Sequence, residues 1–369
     1  MSTFTIIALS ALFVYVYYLI RFYIGIQNHS QVISYNQPTV SVVIAARNEE
    51  KNIAFLLTAL ANQTYSEKLY EVIIVNDAST DKTEQIVQQF TKKWNNFSLI
   101  NITKREGIRS PKKNALQLGI SSAKGEIILS TDADCMISQY WIESMIANFT
   151  EGVAMVSGFS QTKLKNWQES KLVQKYEHFD FLVLMTAAAG ATSAGKYFSS
   201  SGQNIGYRKD AFEKVGGFEK IKHLISGDDV NLMQLFRKAG YKMRFSFFKH
   251  SFVQTLPAKS WKQFLNQRIR WASNFKWQLL LNVEFFFYLA SFILITLLPW
   301  VALFIKWQLA LILFLARILV DVFYLLISFR ILQIPRFKLK MYILWFLLQP
   351  VYIIIAAIGG QLEIFRWKT

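Results

Sequence analysis

The stretch "GEIILSTDAD", residues 125–134, decides how the middle of this chain folds. An apolar, β-branched run (Ile127, Ile128, Leu129) is bounded by Gly125 before it and a polar turn after it, the pattern of a buried strand. Two carboxylates, Asp132 and Asp134, follow at once. The same style recurs upstream in "TVSVVIAA" (39–46) and "EVIIV" (71–75). Polar residues again come next: Arg47-Asn48-Glu49 after the first run, and Asn76-Asp77 with Ser79 and Asp81 after the second. Between the runs the pattern predicts helices over Glu50–Ala61, Asp81–Lys93 and Lys112–Ala123, the second with Asp81 as N-cap and Glu84 three residues on. Strands alternating with helices at this spacing give an α/β fold with a mostly parallel sheet and helices on both faces, from residue 39 to about residue 250. In such sheets ligands bind beyond the carboxyl ends of the strands, where these polar residues lie.

Carboxylates crowded at one rim repel one another unless a cation sits among them. "DAD" at a strand end therefore suggests an oxygen-ligated divalent metal, Mg or Mn, of the kind that also binds substrate phosphate oxygens. A nucleotide-dependent dehydrogenase is disfavoured because no GxGxxG follows any strand. Further on, Gly227-Asp228-Asp229 opens a helical stretch; Asp228 reads as its N-cap. Cys135 is the single cysteine, which excludes a disulfide framework and a CxxC metal site. Beside the metal motif it reads as a packed or semi-exposed thiol rather than a catalytic group. Four scattered histidines do not make a zinc site.

The 369 residues carry 41 Lys+Arg against 24 Asp+Glu, a net charge of +17, yet 53% are hydrophobic. A single soluble core stops growing near about 250–300 residues, so one large domain with appended elements is expected. The apolar residues are concentrated at the two ends of the chain. Phe4–Ile20 reads as a retained membrane anchor, since neither a basic region before it nor a small-residue cleavage site after it marks a signal peptide. Phe285–Phe304, Leu309–Phe329 and Met341–Ile358 are further candidate spans. Arg21 and the loop Arg330–Lys340, with Arg336 and Lys338, place the middle domain in the cytoplasm by the positive-inside rule. Arg366 and Lys368 would then lie outside, a conflict that a shallow or re-entrant last segment near Gly359-Gly360 would remove. Arg317 and Asp321, at i,i+4 within a span, read either as a neutralised structural pair or as groups lining an acceptor route. Just before the spans, Trp261, Lys262, Gln267, Arg270, Trp271, Lys276 and Trp277 suit an amphipathic helix at a membrane surface. The resulting organisation is an anchor over residues 1–26, a cytoplasmic domain over 38–255, an interfacial helix over 256–282 and about three spans over 283–360. Basic excess leaves nucleic acid, anionic membrane or an anionic small substrate open as partners; no nucleic-acid motif accompanies it.

Seven motifs in order, "SVVIAARNEE", "VNDASTDKT", "PKKNAL", "STDADC", "SGQNIGYR", "SGDDVNL" and "QRIRW", cover about residues 38–275. Together they resemble the family 2 inverting glycosyltransferases, in the membrane-bound branch with a Q-x-x-R-W motif that includes ceramide glucosyltransferase and bacterial polysaccharide synthases. The resemblance implies a GT-A-like Rossmann-type fold and a nucleotide-sugar donor, with UDP the usual nucleotide. It implies donor binding by Ala45, Arg47, Glu49, Asp77 and Lys112, and a metal–diphosphate site at Asp132 and Asp134, the latter the more direct ligand. Asp229 would be the general base, and Gln267, Arg270 and Trp271 the motif over diphosphate and acceptor. Ala45 stands where proline is common, Asn76 replaces the first acid of a usual pair, and Gln117 stands where asparagine is frequent. Three functions remain open: transfer of one sugar to a lipid acceptor at the inner membrane face, processive polysaccharide synthesis, and a non-catalytic membrane scaffold. The small number of spans favours the lipid acceptor. Membrane lipids are expected partners and nucleic acid is not.

Overall fold

The structure, a computed structural model, describes residues 2–29, 32–103, 110–335 and 337–365; Arg336, Arg366 and Lys368, on which part of the topology reading rests, lie outside them. The chain forms two compact units, each built from separated segments. One comprises Ser30–Lys163 and Ser199–Pro257, the other Met1–His29, Leu164–Phe198 and Ala258–Thr369. Leu164–Phe198, which falls inside the contiguous middle domain expected from sequence, is thus grouped with the helical segments.

In the first unit the strands are β1 (Val40–Ala46), β2 (Tyr70–Asp77), β3 (Phe97–Ile102), β4 (Ile127–Ser130), β5 (Val153–Gly158), β6 (Ser160–Thr162), β7 (Ile205–Arg208), β8 (Lys242–Ser246) and β9 (Val253–Thr255). Seven of them form a sheet in the order β3-β2-β1-β4-β7-β5-β8, and β6 pairs with β9 apart from it. All pairs in the large sheet are parallel except those of β7, which runs antiparallel to β4 and β5. β1, β2 and β4 are buried on both faces, which is why they read as continuous apolar runs rather than alternating ones. Val42, Ile44, Val72, Ile74 and Leu129 pack with Leu56 and Leu57 of the Ile53–Ala61 helix and with Trp141. Val43 and Val75, on the opposite face, meet the Pro111–Ser122 helix at Gly119. Because β1, β2 and β4 are parallel, Ala46, Asp77 and Ser130 end at one rim.

Two helix starts differ from expectation. The second helix begins at Thr83 with Lys82 as its N-cap. Asp81 instead accepts from Thr83 N at 3.0 Å and from Glu50 N at 3.0 Å, so it ties two rim loops together. The first begins at Ile53, because the Asn52 and Ile53 N–H groups bond back to the Glu49 carbonyl in a turn.

In the second unit four helices among the described residues are long and apolar enough to cross a membrane: Thr3–Gln27, Val283–Ile305, Trp307–Ile331 and Leu339–Gln361. The last runs unbroken through Gly359 and Gly360, with no re-entrant bend. The interfacial segment forms two helices, Trp261–Ala272 and Phe275–Leu281, rather than one. Arg317 and Asp321 are both buried and paired at 3.5 Å. Asp321 also accepts from Tyr15 at 2.6 Å and Tyr342 at 3.3 Å, and Arg317 donates to Gln349. Such saturation is how charge survives in an apolar bundle, and it matches the neutralised structural pair.

Candidate functional site

The sheet's geometry makes the rim of the first unit. Parallel pairing sets the ends of β1, β2 and β4 side by side, and the loops after them must turn sharply. Asn48 (φ 52°) and Ala78 (φ 51°) sit in the left-handed region. Side chains hold these loops: Asn48 N donates to Ser79 Oγ at 3.1 Å, Glu49 N to Thr83 Oγ1 at 2.8 Å, and Thr80 N to Asn48 Oδ1 at 2.8 Å. Glu49 and Asp77 are both buried. Burial raises the Asp77 carboxyl, and the charge of Arg47 partly offsets this. Arg47 Nη1 donates to the Asp77 carbonyl at 3.4 Å, while its Nε is buried with no hydrogen-bond partner among the described residues. Ala45, a strand residue opposite Val75, is half-buried at the same end.

Beyond β4 lies the charged centre. Lys112, on the second residue of its helix, bridges Asp132 Oδ1 and Asp228 Oδ2, each at 2.8 Å. Burial alone would depress the Lys112 ammonium, but its two carboxylate partners raise it overall. Asp228 is the lowered member of the acidic pair: burial pushes it up, and Lys112 more than compensates. Asp229 is raised to about 6 by burial first and then by the neighbouring Asp228 charge. Asp229 also caps the Val230–Lys238 helix, accepting from Val230 N at 2.6 Å through Oδ1. Its Oδ2 accepts from Gly202 N at 2.7 Å. The cap assigned to Asp228 from sequence therefore belongs to Asp229. The adjacent acid is the one drawn to Lys112, and its side chain has left the helix end.

Carboxylate oxygens of Asp132 and Asp134 and the Cys135 sulfur lie within 4.8 Å of one another. Two oxygen donors fit a hard divalent cation. Cys135 is buried, and burial followed by the two aspartates pushes its thiol well above the ordinary thiol range. It stays protonated and packed, as its sequence context implies.

Sequence reasoning passed over two residues of the "SGQNIGYR" stretch. At Gly202 a Cβ would lie 2.9 Å from Asp228 Oδ2 and 3.3 Å from Lys112 Nζ, so a side chain here would press on the Asp228–Lys112 pair. Asn204 is fully buried; it accepts from Trp141 Nε1 at 3.0 Å and donates to the carbonyls of Phe159 (3.0 Å) and Ser251 (2.7 Å). The motif was visible, but which of its members do the holding was not.

The remaining expected residues belong to the second unit. Gln267, Arg270 and Trp271 are half-buried on the Trp261–Ala272 helix. Gln267 Oε1 accepts from Arg268 Nη1 at 2.5 Å, and the Trp271 ring lies 4.3 Å from the Arg268 guanidinium.

The chain is similar to known glycosyltransferases. The family profile described as Glycosyl transferase family 21 matches residues 3–369. Glycosyltransferase AglE of Haloferax volcanii is 30% identical over 234 residues, 63% of this chain and 71% of AglE. A poly-β-1,6-N-acetyl-D-glucosamine synthase of Staphylococcus epidermidis is 28% identical over 48% of this chain. A β-monoglucosyldiacylglycerol synthase of Nostoc is 26% identical over 53% of it. The chain spans 41% of the length of each of these two synthases. Among solved structures, a mannosyltransferase of Pyrobaculum calidifontis, determined with GDP-Man and Mn2+, superposes with a TM-score of 0.65 over 98% of this chain and 97% of its own, at 19% identity. That likeness shares the fold.

Proposed function

The chain belongs to glycosyl transferase family 21, and from that premise we propose that it moves a sugar from a nucleotide-sugar donor, a UDP-sugar, to a lipid acceptor at the cytoplasmic face of the inner membrane. The observation that carries the reading is the Asp229 carboxyl. It is half-buried, raised to about 6, oriented by two backbone N–H groups and set beside the Lys112-bridged acids at the rim. A base working near neutral pH needs such a value.

In the proposed reaction, Asp229 takes the proton of the acceptor hydroxyl as that oxygen bonds to the anomeric carbon. The bond from that carbon to the diphosphate oxygen breaks, its electron pair leaves with the nucleotide diphosphate, and the centre inverts. Gly202 and Val230 N–H groups fix which lobe of the carboxylate faces the acceptor. Glu49 and Asp77 hold the ribose and base, with Ala45 and Arg47 beside them; the unpartnered Arg47 Nε is a donor available to the nucleotide. Asp132 and Asp134 would hold a divalent cation, Mg or Mn, which when bound supplies positive charge to the departing diphosphate. Lys112 adds a fixed positive charge at the same place. Gln267, Arg270 and Trp271 contribute to donor binding, as the resemblance implies.

Membrane lipids are partners by virtue of the four apolar helices, and the Nostoc relative is named for a diacylglycerol product. The Staphylococcus relative favours a second reading, a processive polysaccharide synthase. One assay separates them. Membranes containing the protein or its Asp229→Asn variant receive radiolabelled UDP-glucose, UDP-galactose, UDP-N-acetylglucosamine or GDP-mannose with Mg, Mn or EDTA. Metal-dependent label in the organic phase, absent from the variant, is the expected result. Label in high-mass aqueous material establishes the polymer synthase instead, and no label with any donor leaves the scaffold.

A further inference from the structure

Asp180, in the Leu172–Ser193 helix, is fully buried and saturated with donors. Its Oδ1 accepts from Trp345 Nε1 and Tyr352 OH, each at 2.8 Å, and its Oδ2 from Arg268 Nε at 2.8 Å, with Arg268 Nη2 2.6 Å away. Arg268 is 5% exposed. Its guanidinium lies 4.6 Å from the Phe264 ring centroid and 4.3 Å from that of Trp271. A carboxylate on one edge and two aromatic rings within cation–π distance hold this side chain in place. The nitrogen that remains, Nη1, donates to Gln267 Oε1. The arginine contact fixes which end of the Gln267 carboxamide is the oxygen, so its NH2 points the other way as a donor. The backbone is clamped as well. A Cβ at Gly360 would lie 2.8 Å from Ala272 C and Ser273 N, and one at Gly359 would lie 3.0 Å from Ile269 Cγ2, so the last apolar helix meets the Trp261–Ala272 helix at contact distance.

A buried ion pair adds little stability over apolar residues of the same volume; its use lies in what it orients. We propose that Asp180 and Arg268 are positioning residues for Gln267: they hold its amide so that Nε2 faces an oxygen of the donor, a diphosphate or sugar oxygen, and they hold the Trp271 ring beside it. The inference rests on the reading of Gln267 as a donor-binding residue.

The test uses the full-length protein in membranes and the labelled nucleotide sugar turned over in the assay above. Donor KM and kcat are measured for Arg268→Lys, Gln267→Ala and the double variant. Arg268→Lys keeps the buried charge opposite Asp180 and so preserves folding, but it loses the reach to Gln267. Its donor KM is expected to rise about tenfold with kcat changed far less, and the double variant is expected to match Gln267→Ala alone. A merely structural role would instead lower the amount of active protein and give additive losses. Asp180→Asn/Arg268→Gln, which removes both charges together, should reproduce the KM rise. A raised KM in Gln267→Ala with an unchanged one in Arg268→Lys, or additive effects, overturns the inference alone. An unchanged KM in Gln267→Ala overturns the donor-binding reading and the inference with it.

Discussion

Asp228 and Asp229 are neighbours of one chemical type with opposite fates. Lys112 draws Asp228 into an ion pair and lowers it, while Asp229 is left with two backbone N–H groups and the repulsion of Asp228, and is raised to about 6. Two consequences follow. Asp229→Asn should cut transfer on the order of 100-fold or more while leaving donor binding nearly intact, since a positioned base contributes about that much. The carboxylate is the competent form, so kcat/KM should fall as pH drops below about 6 and level off above it. A pH–rate profile flat from 4 to 8 would remove Asp229 from the base's role. Gly202→Ala tests the close approach on the other side. Its Cβ would crowd Asp228 and Lys112, so kcat should drop about tenfold or more without loss of folded protein by circular dichroism. None of this was legible from residue types alone, because a "DD" pair looks the same until its neighbours in space are known.

At the scale of elements, β1, β2 and β4 were legible because burial on both faces forces unbroken β-branched runs. Helix starts were less so. Asp81 has the look of an N-cap, but its side chain is shared between Thr83 and Glu50, and that competition moves the cap to Lys82. Asn204 shows the converse, a polar residue within a functional-looking motif that holds Phe159, Ser251 and Trp141 together. Asn204→Ala would leave Trp141 Nε1 and the Ser251 carbonyl unsatisfied, while the Phe159 carbonyl keeps Val253 N as its donor; at about 1–3 kcal/mol for each lost partner this should cost several kcal/mol. The detergent-solubilised protein should then lose roughly 5–10 °C in its melting midpoint. An unchanged midpoint would mean that water replaces the amide at no cost.

Taken whole, the molecule pairs an α/β unit with a unit of apolar helices, each assembled from separated stretches of chain. The basic loop before the last apolar helix carries the proposed orientation. With Cys135 replaced by serine, a cysteine introduced at the exposed Lys340 should react with a membrane-impermeant maleimide only from the cytoplasmic side. Labelling from the outside in intact cells would reverse the topology.

Periodicity, length and charge are local properties of the chain. For that reason the parallel sheet, the four apolar helices and the acidic rim after β4 were determined by the sequence itself. Partner identity is not local. That Leu164–Phe198 packs with the apolar helices, that Gly359 and Gly360 serve close contact rather than a bend, and that Asp180 is tied to Arg268 depend on residues far away in sequence coming within hydrogen-bond or contact distance. The same holds for Lys112, which sits between Asp132 and Asp228. Only the folded chain decides such pairs, because a buried charge takes whichever opposite charge the packing leaves within reach.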